Sequence, residues 1–347
     1  MAEEEKQDCT GRDRIRAAFK RQYADRVPIY PITARFNARI SNISMREFLT
    51  DPAKMTKAVL TYHDMFNPDI CLVMGDMLYE VEAMGTEVEF PEDDLCREKS
   101  NLLAADKKDL VRLKVPDPKK DGRLPTYLEV CQRVGAEVKD SNVSGVSCGP
   151  WQLAVLLRGA ENLIRDTFTD PDFVHELMKF TVEVADRFLM AQKEVGIGPS
   201  FSEATCSLNL ISPSIYRDFV LPYHKEVVGR CRERKVGLAM HICGKIDAIM
   251  EDVVSTGISA ISVDEGSSLE KMIEIAKGKA VVIGNVPVGL FRDGTKEQME
   301  AAVKNCIDVA AKDSGYILAS GCEIPGESSV EQVRNFFSAG ARFGSYR

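Results

Sequence analysis

Three residues of this chain carry the donor types of a transition-metal site. His241 and Cys243 stand two positions apart in MHICGKI (240–246), and Cys322 follows in ASGCEIP, giving the pattern H-x-C-x78-C. One imidazole and two thiolates suit tetrahedral Zn2+, and three protein ligands leave a fourth position open, as a catalytic zinc requires. A thiol bound at that position would be deprotonated. The competing reading, that His241 and Cys243 are merely neighbours in the core, loses ground because Cys322 closes a different apolar run.

The elements that must bring these residues together form a rhythm. Eight short apolar runs recur at Val27–Ala34, Ile70–Met74, Val143–Cys148, Phe201–Ala204, Val236–Ile242, Ala260–Val263, Ala280–Gly284 and Tyr316–Ser320, each followed by a polar or Gly/Pro break and a segment of helical spacing. Asp170-Pro171 and Ser212-Pro213 read as helix starts, and Thr295…Gln298 and Ser329…Gln332 have capping-box spacing. Strands alternating with helices make a parallel sheet, and eight such units close a (β/α)8 TIM barrel. No Gly-rich dinucleotide turn follows the first run, which argues against an open doubly wound sheet. Residues 1–347 therefore read as one barrel domain, with a helical N-terminal extension over 1–26. Residues 77–142 read as an insertion whose stretch LYEVEAMGTEVEF predicts a hairpin turning near Gly85, followed by a charged linker or solvated loop.

Active sites of such barrels gather at the C-terminal ends of the strands. The residues found there are reactive: Asp76, Cys148, Glu203, His241 with Cys243, Asp264 with Glu265, Asn285 and Cys322. Asp76, Glu203 and Asp264 are the catalytic candidates, although a salt-bridge or capping role suits Asp76 and Glu203 nearly as well. Asn285 and Cys148 are candidates for contact with a cofactor, and Cys148 also reads as packing. Cys9, Cys71, Cys96, Cys131, Cys206, Cys231 and Cys306 read as structural. His63, His175 and His224 fall in helical patterns as surface or capping residues, and Met74, Met77 and Met84 read as core filler.

Composition removes several function classes. With 45 basic and 53 acidic residues the net charge is -8, and the basic residues are scattered, which argues against nucleic acid as a partner. The N-terminal MAEEEKQDCTGRDRIRAAF lacks a signal-peptide core, and no stretch approaches the roughly 18 apolar residues of a membrane span. Ten cysteines in 347 residues are too sparse for a disulfide scaffold. The expectation is a cytoplasmic protein.

The sequence resembles the uroporphyrinogen decarboxylase superfamily, and within it the zinc-dependent corrinoid methyltransferase branch of the methylcobalamin:coenzyme M type. The resemblance runs through RDRIRAAFKRQYADRVPIYP, NPDICLVMGDMLYEVEAMGTEVEF, CGPWQLAVLLRG, ISPSIYRDFVLPYHKEV, MHICG, GNV and ASGCEIP, nearly the whole chain. It implies a distorted (β/α)8 barrel, with zinc on His241, Cys243 and Cys322, and Glu203 or Asp264 in the open position until substrate displaces it. The implied reaction moves a methyl group between a corrinoid (cobalamin) and a small thiol or other methylated small molecule. Because the chain has no D-x-H-x-x-G corrinoid motif, the corrinoid is expected on a separate carrier protein. The reverse direction, demethylation of a methyl ether, amine or sulfide by Co(I), is an alternative. A second alternative is decarboxylation of uroporphyrinogen, since Asp76 matches that branch's catalytic aspartate. The carboxylate-binding RQAGRY segment of decarboxylases, however, is replaced by ITARFNARISN, which keeps only Arg35 and Arg39. A third alternative is a scaffold bearing a structural metal closed by four protein ligands.

Overall fold

The computed structural model describes residues 9–313 and 315–346; residues 1–8 of the expected N-terminal extension lie outside the described residues. Among the described residues ten strands are formed: β1 (Ile70–Val73), β2 (Val88–Glu89), β3 (Arg97–Glu98), β4 (Asn142–Gly145), β5 (Ser147–Cys148), β6 (Ser200–Glu203), β7 (Ala239–Ile242), β8 (Ala260–Val263), β9 (Val281–Val286) and β10 (Tyr316–Ser320). Strands β5 to β10 form one parallel sheet in sequence order, and β1 pairs in parallel with β4. Backbone bonds between Gly198 and both Val143 and Gly145 join β4 to the β6 side.

The remaining gap is filled by the first apolar run. Its two prolines, Pro28 and Pro31, have no N–H to give, so residues 27–32 contribute isolated bridges rather than a ladder. Ile29 pairs with Leu318 and Ile32 with Glu323, both in parallel, and Asp69 donates its N–H to the Ile29 carbonyl. The barrel is thereby closed, each of the eight runs supplying one stave, and the expected (β/α)8 fold is the one observed.

Barrel strands alternate inward and outward side chains. Tyr30, Ile32, Ile70, Leu72, Ala260, Val281, Ile283, Ile317 and Ala319 form a cluster of their own inside the barrel. Ile15 and Ala18 of the helix Gly11–Lys20 join that cluster, so this helix plugs one end. The plug is tied down by Asp69, which is 1 % exposed and accepts from Arg14 at 3.0 Å, Arg26 at 2.6 Å and the Ile29 N–H at 2.6 Å. The opposite end, where β7 and β10 finish, stays open to the site residues.

Helix starts follow the capping chemistry read from the sequence. Thr295 and Gln298 make a reciprocal capping box, and Asp170 and Ser212 accept from the N–H groups of Phe173 and Ile215. Ser329 also caps its helix, but Gln332 reaches to the Gly294 carbonyl instead of closing a box. The 77–142 region departs from expectation. Its first part is a helix, Tyr79–Ala83, and the hairpin forms later, β2 against β3. A strand over this alternating stretch would need Glu80 on a solvent-facing side. In fact Glu80 is buried and accepts a hydrogen bond from Cys148 N at 2.8 Å. Among the described residues no helix is long and apolar enough to cross a membrane.

Candidate metal centre

Strand β7 places Ala239, His241 and the following Cys243 on its inward face, while Met240 and Ile242 point into the helix layer. Gly244 then turns the chain in the left-handed region (φ 73°), where an added Cβ would strike the Asn209 side chain. Cys322 arrives from the loop after β10. The His241 Nε2 lies 3.2 Å from Cys243 Sγ and 3.6 Å from Cys322 Sγ, and the two sulfurs are 3.8 Å apart. Around a tetrahedral zinc with bonds of about 2.3 Å to sulfur and about 2.0 Å to nitrogen, sulfurs sit about 3.8 Å apart and nitrogen about 3.5 Å from each sulfur. The three donor atoms therefore fit zinc, and among the described residues no fourth His, Cys, Asp or Glu joins them.

The two thiols are shifted in opposite directions. The adjoining Cys243 thiol, together with the His241 ring, pulls the Cys322 thiol well below its ordinary range. The same Cys243–Cys322 contact, burial, and the nearby Cys322 and Asp264 charges push Cys243 far up.

The other candidates divide into those that face this centre and those that do not. Asp264 stays at the open end, accepting from Gly266 N at 2.8 Å, and its charge acts on Cys243. Asn285 donates to the carbonyls of Asp264 (3.2 Å) and Ser267 (3.1 Å), so its side chain braces the Asp264 loop rather than presenting itself to a cofactor. Cys148 is sealed: its thiol donates to the Met77 carbonyl at 3.0 Å and the residue is wholly buried, which removes it as a cofactor contact.

Glu203 is a further correction. In β6 it is Ser202 that pairs in register with His241, so Glu203, one residue on, projects with Phe201 into the helix layer. There, fully buried, it accepts from Trp151 N (3.0 Å), Gln152 N (2.8 Å) and His224 Nε2 (2.9 Å). His224, expected at the surface, is equally buried, with Tyr216 Oη 3.1 Å from its Nδ1. Glu203, Cys206 and His224 lie close enough to hold an ion, but the carboxylate is already engaged by three donors. His63 and His175 are half-buried, bonded to Asp140 and Tyr223 respectively.

Asp76 is also committed. Its carboxylate is 3 % exposed and accepts from Arg123 at 2.8 Å and Leu78 N at 2.9 Å. Arg123 is held in turn by Glu82 and by the rings of Tyr79 and Phe90, at 4.3 and 4.5 Å. Replacing Asp76 with Asn is accordingly expected to cost about 1–3 kcal/mol of stability, because Arg123 loses a charged partner in a buried setting, and to leave metal binding intact. Urea denaturation alongside metal analysis checks both halves. Beside the metal loop, a cleft of about 560 Å3 is lined by Arg35, Arg39, Met45, Asp94, Leu95 and Glu327. Arg35 bonds Glu323 with both its N–H and its Nε, at 3.0 and 3.2 Å, and Arg39 donates to the carbonyls of Gly326 and Ser328.

The uroporphyrinogen decarboxylase (URO-D) family pattern matches residues 10–343. A methylcobamide:CoM methyltransferase MtbA of Methanosarcina mazei is 28% identical, covering 91% of this chain and 93% of its own. A methylcobamide:CoM methyltransferase MtaA of Methanosarcina barkeri is 24% identical over 96% of this chain and 98% of its own. A uroporphyrinogen decarboxylase of Xanthomonas axonopodis pv. citri is 28% identical over 87% and 89%. The solved structure of a methyltransferase from Methanosarcina mazei superposes with a TM-score of 0.87 at 23% identity, covering 96% of this chain and 99% of that one, and shares the fold. With a family pattern spanning nearly every described residue, the chain belongs to the uroporphyrinogen decarboxylase (URO-D) family.

Proposed function

We propose that this protein is a zinc-dependent methyltransferase that moves a methyl group between a corrinoid, carried by a partner protein, and a small thiol or other methylated small molecule. The carrying observation is the convergence of His241, Cys243 and Cys322 at the open end of the barrel, at separations that match tetrahedral zinc. Sequence identity does not choose between the branches, since relatives named methyltransferase and relatives named decarboxylase both reach 28%. The side chains favour the first. Asp76 is closed off by Arg123, and Arg35 and Arg39, the remnants of a carboxylate-binding segment, are bonded within the protein.

Zinc held by these three residues would supply Lewis acidity, keeping a bound thiol as thiolate at neutral pH. The chain's own part is to orient. Asn285 braces the Asp264 loop at the rim, and the Arg35–Glu323 pair fixes the loop that carries Cys322. The three-residue cluster leaves room for an exogenous ligand, which speaks against a closed structural metal.

The test is a methyl-transfer assay with the zinc-loaded protein, methylcobalamin and a series of thiols that includes coenzyme M and homocysteine. Slow, thiol-dependent loss of the methyl-cobalt absorbance is expected, and uroporphyrinogen should remain unconverted. If no thiol supports the reaction but a Co(I) corrinoid protein is methylated from a methyl ether, amine or sulfide, the direction is the reverse. Inactivity in both directions in a folded, zinc-loaded protein would refute the proposal.

A further inference from the structure

We infer that Ser262 is the positioning residue of the metal centre, holding the His241 ring in the tautomer and orientation that present Nε2 to the metal. The inference rests on the zinc reading above and concerns the residue behind the ligand. Ser262 lies on β8 as the register partner of His241 on β7, so the two side chains leave the sheet on the same, inward face. Its Oγ is 2.9 Å from His241 Nδ1, and the residue is only 5 % exposed.

A neutral imidazole carries a single N–H. His241 Nε2 faces the two sulfurs, so the proton belongs on Nδ1, and that N–H, turned between the strands, needs an acceptor. Ser262 Oγ stands where that acceptor must be. Its hydroxyl also differs from the carboxylate that often backs a metal-bound histidine: it fixes the ring without adding negative charge. Two thiolates already neutralise a divalent ion, so a neutral partner leaves the centre more willing to take a third, exogenous thiolate than a carboxylate would.

Ser202 supplies the control, because it is the register partner of His241 on the other side, in β6. Metal affinity is measured by competition with a chromogenic chelator, and ligand geometry by the visible spectrum of the Co2+-substituted protein. Ser262→Ala is expected to bind metal about 10- to 100-fold more weakly and to shift the cobalt bands, with Ser202→Ala unchanged. Ser262→Thr keeps the hydroxyl on a residue suited to a strand and should recover most of the affinity. Thermal melting of the metal-free variants shows whether each is folded, so that a fold defect is not mistaken for a lost ring partner. A folded Ser262→Ala protein with wild-type affinity and an unchanged cobalt spectrum would overturn the assignment, as would a folded Ser262→Thr protein no better than Ser262→Ala. If the unsubstituted protein binds no metal, the zinc reading itself falls, an outcome readily told apart from failure of Ser262 alone.

Discussion

Cys243→Ala and Cys322→Ala proteins are each expected to purify without stoichiometric zinc and to lose methyl transfer, while melting close to the unsubstituted protein in its metal-free form. Both cysteines are only half-buried, sit in loops just past strand ends, and touch each other and His241 rather than the apolar core. Their removal therefore opens little cavity. The effect on the metal is large. If one of three ligands carries about a third of the ~12 kcal/mol typical of a thiolate-rich zinc site, its loss weakens binding by roughly 10³. The contrast is Cys148→Ala, where the missing thiol leaves a gap in a sealed part of the core, so stability should fall and zinc should stay. Elemental analysis and melting curves of the three proteins separate these outcomes. Full zinc occupancy in Cys243→Ala or Cys322→Ala would take that residue out of the ligand set.

The fold was legible because parallel barrel strands are covered on both faces and read as short continuous apolar runs. Ile70–Val73 and Tyr316–Ser320 are buried at every position, and the sequence marks them plainly. The run Phe201–Ala204 is the least apolar of the eight for a physical reason: in Ser200–Glu203 every second residue is a partly exposed serine, while Phe201 and Glu203 are buried in the helix layer. The grouping of the candidate ligands was legible because residues two apart on a strand share a face, which places His241 and Cys243 together without knowledge of the rest. Glu203 was misjudged by a single step of that same alternation. The register of β6 against β7 decides which of Ser202 and Glu203 faces the centre, and register is a property of pairing that one strand's composition does not carry. Ser262 left no signal at all, since a serine in a strand becomes informative only when the neighbouring strand puts a histidine nitrogen 2.9 Å away.

Glu203→Ala is expected to be the most destabilising single substitution at this end of the barrel, by about 3–5 kcal/mol, because it leaves three donors in a buried setting without the acceptor they share. The carboxylate closes the N-terminus of the helix Pro150–Arg158, where Trp151 and Gln152 offer N–H groups that no turn of the helix can satisfy. It approaches so closely because position 149 is glycine; a Cβ there would collide with the carboxylate. Behind it, His224 is enclosed by Glu203, Tyr216 and the Phe201 ring, 5.7 Å away. Truncation would leave that imidazole facing a cavity with no acceptor for its Nε2 side, in a place water does not reach. Glu203→Gln keeps one acceptor oxygen, which can serve the Oε1 partners Trp151 N and His224 Nε2, but turns an NH2 donor toward Gln152 N, so it should destabilise less than Glu203→Ala without matching the unsubstituted protein. Urea denaturation measures both. Zinc content decides the remaining question: because Glu203 projects away from the barrel interior, the folded variants should bind metal as the unsubstituted protein does. A Glu203→Ala protein that stays as stable as its parent but loses zinc would return this carboxylate to the metal's open position and reverse the orientation argued from the β6–β7 register.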